Sequence, residues 1–129
     1  MDTQDLERAR SEAEAQLSSI VEMVGALDTD NDADLEEALQ CIQEDPLSIE
    51  VRSDWHLPGS STNALAEYEI LLCTGGPATR IIGKLGQYNE PIDACLQFQD
   101  WFTPWVKYEC GSDEQNALIK YAEQFWYGE

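Results

Sequence analysis

Apolar positions recur every seven residues at the start of this chain and every second residue further on. Leu6, Ala13, Ile20 and Leu27 stand a heptad apart, with Leu17 and Val24 in the alternate seam behind Arg10. That period predicts an amphipathic helix over residues 4–27, about 36 Å long at ~1.5 Å per residue. Asp5 and Glu12, with Glu7 and Glu14, flank its stripe on both sides. The stripe suits packing against the chain's own body and equally a homodimer seam, although Ala13 and Arg10 weaken a coiled coil. A second helix is expected over 34–44, capped by Asp32 or Asp34, with Leu35, Ala38, Leu39 and Ile42 facing inward and Pro46 ending it.

The period then changes to two. Ile49 and Val51 alternate with Glu50 and Arg52, residues 67–74 form the most apolar strand, and residues 79–85 return from a Gly75-Gly76-Pro77 turn. Gly83 is read as a bulge and Gly86 as the next turn. Ala94, Leu96 and Phe98 alternate in a fourth strand, and a short edge strand at 106–109 is an option. Residues 57–66 read as a surface loop. Ser112 and Gln115 form the capping box of a last helix whose core face is Leu118, Ile119, Ala122, Phe125 and Trp126. The expected fold is α+β, two N-terminal helices, a four-stranded antiparallel meander and a C-terminal helix, in the order ααββββα. It is read as a single domain, 1–129, with an acidic helical part (1–44) and a sheet plus helix (45–129).

Charge changes this picture more than any motif does. There are 26 Asp and Glu against 7 Lys and Arg, a formal net of -19 over 129 residues. Residues 1–54 carry -13 of this and residues 55–129 carry -6. A surface of that sign repels nucleic acid and anionic membrane and draws in basic partners. At 43% hydrophobic residues, the chain is too apolar for a disordered acidic tail. Acid-rich, lysine-poor composition also arises from adaptation to high salt. The charged opening MDTQDLERAR lacks a signal-peptide core, and no apolar run approaches the ~20 residues of a membrane span. Cys41, Cys73, Cys95 and Cys110 form no CxxC pair, so reduced, mostly buried thiols in a cytoplasmic protein are expected.

Candidate chemistry is thin. Asp28, Asp30 and Asp32 match the first three ligand positions of a calcium loop, but Ala33 stands where the glycine belongs and Leu39 where the bidentate glutamate belongs. A capping loop rich in acid explains the same residues. His56 is the lone histidine and has no thiol at a spacing that points to zinc or to nucleophilic catalysis. Gly75-Gly76-Pro77 lacks the lysine and the helix of a phosphate loop. The aromatics lack the basic groove that single-strand binders need. Most belong in the core, with Trp101 and Trp105, on the bend at 100–105, as candidate protein-interface anchors. No catalytic residue, cofactor or metal ligand is assigned.

Several stretches resemble a family of small acidic proteins carried by bacteriophages and prophages. They are Asp45-Pro46-Leu47-Ser48 with Val51-Arg52-Ser53, the run from Glu67 to Ala78, Gln99-Asp100-Trp101, Thr103-Pro104-Trp105, and Tyr121-Ala122 with Phe125. The resemblance covers roughly 45–128 and carries over no functional residue. It implies a mobile-element setting, where small acidic proteins include anti-CRISPR and anti-restriction inhibitors that imitate DNA. With the charge, it leads to the expectation of a non-enzymatic DNA mimic in the host cytoplasm. Its target would be a basic nucleic-acid-binding protein: a CRISPR effector, a restriction enzyme or a regulator. The expected contact residues are Asp5, Glu7, Glu12, Glu14 and Glu22, continued by Asp28, Asp30, Asp32, Asp34, Glu36 and Glu37, with Trp101 and Trp105. An interaction module built on the aromatics, or an acidic calcium-binding protein, are the alternatives.

Overall fold

A computed structural model describes residues 3–53, 58, 65–74, 77–86, 89–100, 104–125 and 127, with the side chains of residues 3–6, 53 and 65 set aside. Among them are helices α1 (Thr3–Gly25), α2 (Asp32–Glu44) and α3 (Ser112–Ala122), and strands β1 (Ser48–Ser53), β2 (Leu65–Cys73), β3 (Ala78–Lys84), β4 (Cys95–Gln99) and β5 (Val106–Lys107). The architecture is α+β, as expected. The order is ααβββββα rather than ααββββα, because the two-residue β5 closes one edge of the sheet.

All neighbours are antiparallel, in the order β1-β2-β3-β4-β5. Side chains alternate between faces of a strand, so register decides what meets in the core. Ile70 lies opposite Ile81 and Ile81 opposite Leu96, giving one apolar row across three strands. Phe98 and Thr79 form the next pair, and Tyr68 lies opposite Gly83. These apolar residues are buried beneath α1 and α3, which pack on each other and on this face. Helix α1 contributes Ala9, Ala13, Leu17 and Ile20, helix α3 Leu118, Tyr121 and Ala122, and helix α2 Ile42. The heptad stripe is therefore spent inside the chain, on the residues a homodimer seam would need.

Local chemistry corrects three sequence expectations. The cap of α2 is Asn31, in extended conformation, whose Oδ1 accepts the Asp34 amide at 3.1 Å; neither Asp32 nor Asp34 is the cap. The cap of α3 is Gly111, whose amide is accepted by the Glu114 carboxylate at 2.8 Å, while the Gln115 amide turns away to the Ala94 carbonyl. Gly83 is no bulge. A Cβ there would stand 2.2 Å from the Asp93 carbonyl oxygen and 2.6 Å from the Tyr68 hydroxyl, so glycine leaves room for the 2.6 Å hydrogen bond Tyr68 donates to Asp93. The register shifts lie instead at Arg52/Ser53 and Leu71/Cys73. The next turn, at 86–90, places Asn89 at φ 61, a left-handed conformation Asn tolerates. Trp55, His56, Gly75, Gly76, Trp101 and Trp126, for which the sequence raises expectations, lie outside the described residues.

Three core tyrosines carry buried hydroxyls. Tyr121 donates to Asp45 Oδ2 at 2.7 Å, tying α3 to the end of α2, and Tyr127 donates to the Ala122 carbonyl at 2.7 Å. Burial raises the pKa of Tyr68, Tyr121 and Tyr127 well above the ordinary 10.0; the Asp45 carboxylate adds to the effect at Tyr121. Below pH 10 both folded and unfolded chains hold these protons. Above it only the folded chain does, so ionisation favours unfolding. The contribution of these three groups to stability should be flat toward pH 10 and then fall by up to about 4 kcal/mol per pH unit, at ~1.4 for each tyrosine. Tyrosinate absorbance should show these three groups titrating only as the chain unfolds. Their titration while near-UV dichroism stays native would refute the assignment.

Candidate partner-binding surface

Residues 28–45 contain eight acids and no Lys or Arg. Asp28, Asp30, Asp32, Asp34, Glu36, Glu37 and Glu44 are all exposed, and Asp45 is half-buried on Tyr121. Helix α2 supports this segment through Ala38 and Ile42, which anchor it to α1 and the core. At ~1.5 Å per residue, its 13 residues span about 20 Å. Four of its five acids, Asp32, Asp34, Glu36 and Glu37, crowd into about 8 Å of axis, and Glu44 stands about 10 Å further on.

Around the axis the acids of α2 divide, Asp32 and Glu36 on one flank of the Ala38–Ile42 stripe and Asp34, Glu37 and Glu44 on the other, and the acids of α1 divide likewise. At ~100° per residue, measured from the buried stripe, Glu7 and Glu14 fall on one flank, Glu12 on the other, and Glu22 on the far side. Glu12 also accepts a hydrogen bond from Gln16 at 3.3 Å. The side chain of Asp5 lies outside the described residues. The expected row along both helices is therefore divided. What the fold does bring together is Glu22 with Asp28, Asp34 and Glu37, around a groove of about 520 Å³ between the end of α1 and the side of α2.

The bases lie mostly elsewhere. Arg52, Arg80, Lys84 and Lys107 share, by register, the sheet face opposite the helices. Arg52 pairs with Glu67 there. Arg80 donates to Glu69 Oε2 at 2.6 Å and to Gln97 Oε1 at 2.8 Å, with its guanidinium 4.1 Å from the centre of the Trp105 ring. Trp105 is thus occupied by an intramolecular cation–π contact rather than presented as an anchor. Nothing in its sequence neighbourhood reveals Arg80; the β2–β3–β4 register alone assembles the cluster.

In the 28–34 loop, Thr29 Oγ1 accepts the Asn31 amide and Asn31 Oδ1 accepts that of Asp34, so these side chains serve the helix start. Among the described residues, no three carboxylate, thiol or imidazole groups converge to hold a metal. All four thiols are free, and none is fully buried as expected: Cys41 is exposed, and Cys73, Cys95 and Cys110 are half-buried. Burial pushes the Cys95 and Cys110 thiols above their usual pKa, the opposite of nucleophile activation. No helix among the described residues is long and apolar enough to cross a membrane. Comparison with family models, curated proteins and solved structures found no match.

Local electrostatics act both ways on α2: Asp32 and Asp34 in its first turn suit the helix dipole, while the acids further along oppose it. Neither α1 nor α2 has a base in its last turn, where Lys120 serves α3. Glu44 instead sits at the negative end of the α2 dipole, an arrangement costing about 0.3–1 kcal/mol. Asp32/Glu36 and Asp34/Glu37 are like-charge neighbours costing ~0.2–0.5 kcal/mol each. Combining Glu36→Gln, Glu37→Gln and Glu44→Gln should therefore stabilise the fold by roughly 1 kcal/mol at low salt, with the gain shrinking toward molar salt. Destabilisation by this triple change in urea titrations would contradict the charge assignment. Conversely, Arg80→Met should cost about 1–2 kcal/mol in the same assay, a figure reduced for solvent screening.

Proposed function

We propose that this protein is a non-enzymatic inhibitor that occupies a basic nucleic-acid-binding groove on a host protein by imitating a DNA backbone. The target class is a CRISPR effector, a restriction enzyme or a DNA-binding regulator in the host cytoplasm. The observation that carries the reading is segregation. Exposed acid crowds α2 and its leading loop at a cost to helix stability, while four of the seven bases sit on the far face of the sheet. Uniform surface charge for solubility or salt tolerance needs no such separation. A cationic groove would relieve the repulsion within α2 and release the cations gathered around its acids, as cationic proteins do on DNA. The phage-type resemblance over 45–128 supports the same setting.

The direct test is capture of partners from host lysate at low salt, repeated with excess duplex DNA. The captured protein should be released by the duplex, and its affinity should fall steeply with salt. The triple α2 variant should bind at least about tenfold more weakly, equivalent to ~1.4 kcal/mol, while melting no lower than the parent. A partner that holds inhibitor and duplex together would overturn the proposal.

A further inference from the structure

The groove between α1 and α2 differs from a phosphate mimic in one respect: it has an apolar floor. Buried Ala38 and half-buried Met23 line its deeper part and exposed Ala26 its edge, beside the exposed acids Glu22, Asp28, Asp34 and Glu37. No Lys or Arg is among its described lining residues. Its volume of about 520 Å³ lies within the range of ~300–1,000 Å³ typical of clefts that enclose a ligand group. A DNA backbone offers a partner no such slot.

We infer that the groove receives an apolar side chain from a Lys- or Arg-rich amphipathic helix of the partner protein, its flanking cations meeting the acidic rim. Cations three or four residues either side of an apolar anchor lie on the same helix face as it does. Glu22 on one wall and Asp34 and Glu37 on the other are placed to receive them. The apolar floor then gives a selectivity that charge alone lacks, because charge attracts every cation while the slot accepts only one flanked by an apolar group. This inference rests on the reading that the acidic helical side is the contact side.

Two fluorescent helical peptides of equal charge separate the two ideas: one with lysines around a leucine stripe, the other with those leucines replaced by glutamine. At physiological salt the leucine peptide should bind at least about tenfold more tightly. Its amide shifts should map to residues 19–29 and 34–41. Ala26→Phe, at an exposed position, should abolish that preference while leaving the glutamine peptide's affinity and the melting temperature unchanged. Equal binding of both peptides, or a preference that survives Ala26→Phe, overturns the groove and leaves the general attraction to cations standing. A leucine preference that persists while duplex DNA fails to compete for the captured partner supports the groove and removes DNA imitation alone.

Discussion

The row Ile70–Ile81–Leu96 sets the position of everything else in this molecule. Three apolar side chains from adjacent antiparallel strands fall side by side only in one register, since a one-residue slip sends each to the opposite face. Once the row exists, α1 and α3 have a surface to cover, and α2 gains its anchor through Ile42. The same register sends Glu67, Glu69, Arg80 and Gln97 outward. The charged face of the sheet and its apolar face are thus two results of one pairing.

This constraint explains how so acidic a chain stays folded. Apart from the buried Asp100, the described carboxylates stay out of the core, because the strands supply the core and the helices need only narrow apolar stripes. Helix α2 is the extreme case, holding its place with Ala38 and Ile42 while the rest of its circumference is left to solvent and charge. Bases sit where they are most use to the scaffold. Arg80 ties β3 to Glu69 on β2 and Gln97 on β4. The segregation therefore has a structural half, bases holding strands together, and a half that structure does not require, acids crowding one helix.

Much of the fold is legible along the chain because period survives translation into three dimensions. The heptad of Ala13 and Ile20 and the alternation of Ala94, Leu96 and Phe98 each report a buried face directly. Caps are less legible, since they depend on backbone conformation as well as residue type. Asn31 and Gly111 each take the extended conformation one residue before the position that side-chain chemistry favoured. The division of the α1 acids is legible as well, because the helical period places Glu12 and Glu14 on opposite flanks of the stripe. The groove and the Arg80 cluster exist only through tertiary pairing, and no local pattern announces either.

Those two tertiary features also decide between the kinds of interface this chain presents. Trp105 has the large ring expected of a binding hot spot, yet it covers Arg80, and removing the ring from that contact would expose a cation already committed to Glu69 and Gln97. On the sheet face, Arg52 and Arg80 are thus each answered by a glutamate. On the helical side, Tyr121 answers Asp45, but no base within 28–45 answers the other acids there. An interface gains most where a free surface leaves attraction unused, and a cationic partner of the kind proposed would find that condition at α2 and the groove beside it rather than at Trp105.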